Sequence, residues 1–423
     1  MLALDRDGQE DGNIDHDRMT ICLIKNIYPP FDRGGAEQVV YQTVQGLLQA
    51  GHRVIIITTS PEGDSVEEKD RLTIYRFKPK NIYFYTNAHH YGFLARILWH
   101  GIDIFNMDAV RKVQTILKKE QPDIVHTHNL MGLSFLVPRL IRRLGIPHIH
   151  TVHDVQLVEP SAIILKKQEH TWRFNGFPTR FYTRLLRFLI GSPHVVISPS
   201  QFLLDFYRSR GFFAHSACVV LRNPFTFPYQ EMSQKRRVEA QTPLRFLYVG
   251  QMEEHKGILL LLKAFRRLIQ EKNVQAELHI VGSGGALTMV QTLSRGVRQV
   301  FVYGRVGRDD LPALFQKMDV TVVPSLCYEN SPTVIFESFS CGVPVLASRV
   351  EGIAELIREG ENGVTFVTGS EDALVEKMHW CTSHRREMYV MGKNASQTPA
   401  GLSLLAYVTK LETLYREATA LAS

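Results

Sequence analysis

The sequence predicts an α/β protein made of two doubly wound, parallel-sheet domains. Short apolar runs rich in β-branched residues alternate with helical patterns along nearly the whole chain. Some runs are apolar at every position, as in Val54-Ile-Ile-Ile57, which suits parallel strands covered by helices on both faces. The length, 423 residues, is that of two or three ordinary domains.

The first 19 residues are polar and acid-rich, which reads as a disordered leader rather than a signal or transit peptide. Strands are then expected at Ile21–Lys25, Val54–Thr58, Asp123–Thr127, His148–Val152 and Val195–Ser198, with helices such as Glu37–Ala50 and Ala109–Lys119 between them. A second set is expected at Phe246–Val249, Glu277–Val281, Val300–Val302, Val320–Pro324, Val343–Ala347 and Val364–Val367. The join falls near Arg222–Pro243, where Asn223-Pro224 is a breaker pair and Gln230–Thr242 is charged and weakly periodic. The domains are therefore expected over 20–225 and 226–402. Leu404, Leu405, Val408, Leu411, Leu414 and Tyr415 recur at helical spacing, which predicts an amphipathic closing helix over 403–423.

Composition narrows the functional classes. The chain is 44% hydrophobic and 22% charged, so it buries sizeable cores and is neither disordered nor collagen-like. Its net charge of +7 favours anionic partners: nucleic acid, a membrane surface or a phosphorylated small molecule. Five scattered cysteines without a CxxC pair indicate neither a disulfide framework nor a zinc site, and fit a reducing cytoplasm. No run reaches the roughly 18 apolar residues that a spanning helix needs.

Residues 156–193 break the rhythm. Arg180, Arg184 and Arg187 share one helical face beside Phe181, Leu185 and Phe188. Such a helix reads either as a peripheral contact with an anionic membrane or as a surface helix packed on its own domain. Both readings stand at this point.

Three segments carry the chemistry. In Tyr28-Pro-Pro-Phe-Asp-Arg-Gly-Gly-Ala-Glu37, Gly34 and Gly35 sit at a strand-to-helix turn, where backbone can approach a phosphate or simply turn tightly. In Gly250-Gln-Met-Glu-Glu-His-Lys-Gly257, Gly250 ends a strand and Lys256 reaches back over the carboxyl edge, where open sheets bind ligands. Gly282-Ser-Gly-Gly285 fails the GxGxxG pattern because position 287 is Leu, which counts against a nicotinamide site. The most specific segment is Glu329-Asn-Ser-Pro-Thr-Val-Ile-Phe-Glu337. Pro332 suits the first turn of a helix with Ser331 as its cap, so Ser331, Thr333 and Val334 present free amides to an anion, flanked by two carboxylates.

Taken together, these motifs resemble the retaining, nucleotide-sugar-dependent glycosyltransferases of family 4, the group that includes glycogen synthase and mannosyltransferases. The resemblance rests on Gly34-Gly35-x-Glu37, on Gly250 with Lys256-Gly257, on the Glu-x7-Glu pair Glu329 and Glu337, and on further landmarks such as Asp123–His128, Thr151-Val-His-Asp154, Ser198-Pro-Ser200 and Cys341–Val345. It runs from about Ile21 to the closing helix.

What it implies is a GT-B fold: two Rossmann-like domains, the first for acceptor and the second for nucleotide-sugar, with the closing helix packed back on the first. The resemblance implies that Gly34 and Gly35 admit the donor diphosphate, with Gly250 and Gln251 beside it, and that Lys256 neutralises it. Glu329 would bind sugar hydroxyls, Glu337 the ribose, and the amides of Ser331, Pro332's neighbour Thr333, and Val334 a phosphate. His153 would sit beside the donor sugar; its alternative is a satisfied histidine at a strand end. The family usually has Arg where this chain has Gln251, which removes one cation unless Arg305 or Arg222 compensates.

No Asp-x-Asp follows a strand edge in the second half, and the resemblance implies transfer with no metal and no cofactor. The expected partners are the donor and a glycan or lipid-linked acceptor, not nucleic acid, and the expected location is cytoplasmic or at the inner membrane face. A sugar-nucleotide epimerase and a catalytically silent binding protein remain the alternatives.

Overall fold

The computed structural model describes residues 18–31, 34–225, 227, 243–397 and 403–422. The expected leader, apart from Arg18 and Met19, and the charged stretch Gln230–Thr242 of the expected join lie outside the described residues.

The first sheet contains β1 (Thr20–Ile24), β2 (Arg53–Thr59), β3 (Ser65–Lys69), β4 (Leu72–Phe77), β5 (Ile124–Thr127), β6 (His148–Thr151), β7 (Val195–Ser198) and β8 (Ala217–Val220), in the order β3-β4-β2-β1-β5-β6-β7-β8. All neighbours are parallel except β3, which forms an antiparallel hairpin with β4. The second sheet contains β9 (Leu244–Val249), β10 (Ala276–Val281), β11 (Val300–Gly304), β12 (Val320–Val323), β13 (Val345–Ser348) and β14 (Gly363–Phe366), in the order β11-β10-β9-β12-β13-β14. Its neighbours are parallel throughout.

The all-apolar strands still obey the period of two. Cys22, Ile24, Ile55 and Ile57 face one core, which helices Met107–Glu120, Val137–Leu144 and Phe177–Ile190 cover. Ile21, Leu23, Val54 and Ile56 face the other, which helices Gly35–Gln49 and Leu404–Ala422 cover. Alternate side chains point to opposite faces, and both faces here are dry.

The closing helix Leu404–Ala422 packs back on the first domain through Tyr407, Val408, Leu411, Leu414, Tyr415 and Ala418. Leu405, expected on its apolar face, points to solvent instead, because the buried stripe is centred on Leu411 and Tyr415. The approach is close: a Cβ on Gly46 would lie 2.5 Å from Val408 Cγ2. His52 Nε2 meets Glu412 Oε1 at 2.8 Å, and His126 Nδ1 meets the Tyr415 hydroxyl at 2.9 Å.

Strands β3, β4 and β8 were not expected from the sequence. Ser-Val-Glu-Glu-Lys of β3 is exposed at every position and carries no apolar signal, whereas Leu-Thr-Ile-Tyr-Arg-Phe of β4 and Ala-Cys-Val-Val of β8 do carry one that the sequence reading passed over. In both sheets the strand order reverses, between β1 and β5 and between β9 and β12. Ligands bind outside the carboxyl ends of strands at such reversals, so the loops after β1, β9 and β12 are the ones to inspect.

Candidate functional site

Those loops face one another across a cleft of about 740 Å³. From the first domain, Gly34 and Gly35 lead into helix Gly35–Gln49, and His153 follows β6. From the second, Gly250, Gln251 and Lys256 follow β9, while Glu329 to Val334 and Glu337 follow β12. Every site residue expected from the sequence therefore lines the same cleft.

Lys256 closes a tight turn, Glu254–Lys256, before helix Ile258–Lys272. Gly257 makes this turn feasible: its φ is +75°, and a Cβ would stand 1.8 Å from the Pro324 carbonyl oxygen. Lys256 Nζ donates to Glu329 Oε1 at 2.6 Å, and Ser325 Oγ donates to the same oxygen at 2.7 Å. Burial by itself would lower the lysine's pKa. The adjoining Glu329 carboxylate outweighs it and raises the pKa, so Lys256 is a firm cation at neutral pH.

Helix Thr333–Ser340 begins one residue later than expected, with Pro332 in the N-cap place. Ser331 is not its cap: no side-chain bond caps the helix, and the Ser331 hydroxyl is buried without a partner among the described residues. Proline there supplies a fixed backbone rather than an acceptor, so the first-turn amides stay uncapped. Glu337 lies one turn in, and Arg308 Nη2 donates to its Oε1 at 3.0 Å.

The two domains touch at this point. A Cβ on Gly35 would lie 2.8 Å from Thr333 Oγ1, and one on Gly34 would lie 3.4 Å from Gln251 Nε2. The paired glycines thus bring first-domain backbone against the amide end of a second-domain helix. Asn330 Nδ2 donates to the His153 carbonyl at 2.8 Å, and Asn223 Nδ2 to the Ser331 carbonyl at 3.1 Å. Further out, Glu355 accepts from the Gln201 amide at 3.0 Å, and Lys166 pairs with Glu351.

His153 Nε2 is taken by His128 Nδ1 at 2.9 Å, which leaves Nδ1 as its other polar atom. Burial, with Lys25 nearby, holds its pKa well below the ordinary value, so the ring is neutral at pH 7. Behind it Lys25 is fully buried, with Nζ 3.3 Å from Glu37 Oε1. Glu37, matched only as part of a motif, thus balances a buried ammonium at the cleft wall.

Of the two cations considered as substitutes for an arginine at 251, Arg305 lines the cleft, whereas Arg222 is exposed and is absent from its lining. Sequence reasoning missed Arg308, Ser325 and Lys25, and it read Asn330 only as the start of the anion-binding turn, not as the side chain that reaches His153. Ser325 and Asn330 lie in or beside a recognised motif, so proximity to it was a usable signal. Arg308 and Lys25 had none, because their carboxylate partners, Glu337 and Glu37, sit on separate helices that only folding brings alongside.

Two doubly wound domains that meet over amides, a lysine and two carboxylates define the GT-B architecture. The amino-terminal part, residues 33–225, matches the family described as Glycosyltransferase Family 4, and residues 230–398 match Glycosyl transferases group 1. The chain belongs to this family and is a sugar-transferring enzyme. It is 26% identical over 345 residues to an uncharacterized 42.6 kDa protein in the cps region of Klebsiella pneumoniae, covering 80% of this chain and 88% of that one. It is 23% identical over 348 residues to the UDP-Gal:alpha-D-GlcNAc-diphosphoundecaprenol alpha-1,3-galactosyltransferase of Escherichia coli, covering 77% and 83%. Its fold is similar to that of Anabaena HepE in complex with UDP and glucose, with a TM-score of 0.67, 18% identity and coverage of 94% and 99%.

Proposed function

We propose that this glycosyltransferase moves a sugar, with retention, from a nucleoside-diphosphate donor to a glycan or lipid-linked acceptor in cell-surface polysaccharide synthesis. The observation that carries the reading is the convergence of Lys256, the first-turn amides of helix Thr333–Ser340, Glu329 and Glu337 on one cleft closed by Gly34 and Gly35. Breaking the bond from the anomeric carbon to the diphosphate builds negative charge on the leaving group and positive charge on the sugar. Fixed donors aimed at the leaving group then lower the barrier, which is the part assigned to Lys256 and the amides. Glu329 accepts hydroxyls of the donor sugar while its other contacts hold Lys256 in place, and Glu337 accepts the ribose diol. Neutral His153 orients the sugar from the opposite wall without adding charge.

This assignment needs no metal and no cofactor, since the cations are the protein's own. Support for a nucleotide-sugar donor comes from the UDP and glucose bound to HepE, and support for a lipid-linked acceptor from the name of the Escherichia coli relative. The proposed place of action is the cytoplasmic face of a membrane. Among the described residues no helix is long and apolar enough to cross one.

The test is a transfer assay with candidate nucleotide-sugars, preceded by thermal shift with UDP, GDP and ADP. One nucleoside diphosphate is expected to raise the melting temperature by mass action, and Lys256→Ala and Glu337→Ala to cut transfer by about 100-fold or more. Full activity in either variant would overturn the reading. NMR of the product's anomeric proton decides retention, and isomerisation of donor without acceptor would favour an epimerase.

A further inference from the structure

More than half of the exposed large apolar side chains among the described residues fall in two segments, 82–107 and 163–188. In helix Phe93–Ile104 the apolar residues face outward: Phe93 is 77% exposed and Leu94 75%, with Ile97 and Leu98 beside them. The inner side of this helix is held by Trp99, which packs on Tyr83 and donates to its carbonyl, and by Asp103, which accepts from the Gly132 amide at 2.7 Å. The only acid of the helix is therefore turned inward. In the second segment Trp172 is 73% exposed and Phe177 76%, followed by Phe181.

Both segments belong to the layer over one face of the first sheet. Ile104 from the first, and Phe174 and Leu186 from the second, enter the same core. Helix Phe177–Ile190 carries Arg180, Arg184 and Arg187 and no acid, and Arg139 lies 4.9 Å over the Phe188 ring. The second segment also reaches the site, because Ile163 is both exposed and part of the cleft lining.

We infer that this face is a docking surface for an anionic phospholipid bilayer, with the Phe93–Ile104 helix and the Trp172–Phe181 stretch inserted among the acyl chains and the arginines on the headgroups. An apolar surface flanked by arginines, with Glu169 of the second segment already paired with Lys166, fits a negatively charged interface. A second copy of the chain would bring the same arginines face to face, so like charges oppose a dimer through this surface. Because Ile163 is exposed and lines the cleft, a lipid-linked sugar would reach the cleft from this segment without leaving the membrane. That last step rests on the acceptor reading above, whereas binding to the bilayer itself does not.

The test is sedimentation of the full chain with vesicles, without donor or acceptor. Binding is expected to phosphatidylglycerol-containing vesicles and not to phosphatidylcholine alone, to weaken with salt, and to shift Trp172 emission to the blue. Each basic residue near such a surface is worth about fivefold in affinity, so replacing Arg180, Arg184 and Arg187 together with Gln is expected to weaken binding on the order of 100-fold. Leu94→Glu with Phe177→Glu is expected to abolish it with thermal stability unchanged, since both side chains are outside the core. Equal binding to neutral vesicles, unchanged binding by either variant, or a dimer in sedimentation velocity that those variants dissolve would overturn the inference. Vesicle binding by a protein that shows no nucleotide thermal shift would instead count against the proposed function alone.

Discussion

Lowering the pH from 7 to 5 is expected to destabilise the first domain by several kcal/mol through histidines held neutral inside it. His126, His128, His148, His150 and His153 all lie on or just after β5 and β6. Burial, with His150 nearby, pushes His126 down to about 3, and burial pushes His150 down to about 4 against the raising effect of Thr127. Their rings are engaged by neutral partners: Tyr415 and Thr151 for His126, Thr127 for His150.

A histidine whose folded pKa lies below its unfolded value near 6.5 leaves stability intact above pH 6.5. As pH falls from there toward the folded value, the unfolded chain takes up the proton and the native state does not. Between pH 7 and 5 that amounts to about 2 kcal/mol for each ring, or about 4 kcal/mol for His126 and His150 together. His128, His148 and His153 are lowered too, by burial and by cations that include Lys25 and Arg142, and they add with the same sign. Against a total of roughly 5–15 kcal/mol this is a large fraction. Urea unfolding of the full chain at a series of pH values measures it. His126→Asn should flatten the pH slope by about one proton, or about 1.4 kcal/mol per pH unit. Equal stability at pH 5 and 7, or a slope that His126→Asn leaves untouched, would refute the reasoning.

Other substitutions probe the cleft. Lys256→Ala removes the cation that Glu329 holds at 2.6 Å and is expected to cut turnover by about 100- to 1,000-fold with the fold intact, measured by initial rates. Gly35→Ala places a Cβ 2.8 Å from Thr333 Oγ1 and is expected to lower kcat by holding the domains apart. Since the obstacle is a side chain, adding Thr333→Ala should restore part of that loss. Gly257→Ala meets the Pro324 backbone at 1.8 Å as well as a positive φ, so it should lower the melting temperature and displace Lys256, with no side-chain substitution able to rescue it. Removing the closing helix uncovers Leu23, Val44 and Ile56, and the truncated chain is expected to aggregate on expression.

Much of this was legible in the chain before any coordinates. Runs such as Val54–Ile57 declared buried parallel strands, and spaced glycines, Lys256 and the Glu329–Glu337 pair marked the loops that carry chemistry, because periodicity and turn requirements are written locally. The exposed hairpin strand β3 left no trace of that kind, since a strand wet on both faces needs no apolar pattern. Nor did Ser331's lost capping role, which followed from proline taking the N-cap place. Folding alone paired Arg308 with Glu337 and Lys25 with Glu37, set Gly35 against Thr333, and gathered outward-facing Phe93 and Trp172 on one layer. Those relations depend on which strand lies beside which and how two sheets face each other. Distances across a cleft arise from the packing of segments far apart in sequence, and no local pattern encodes them.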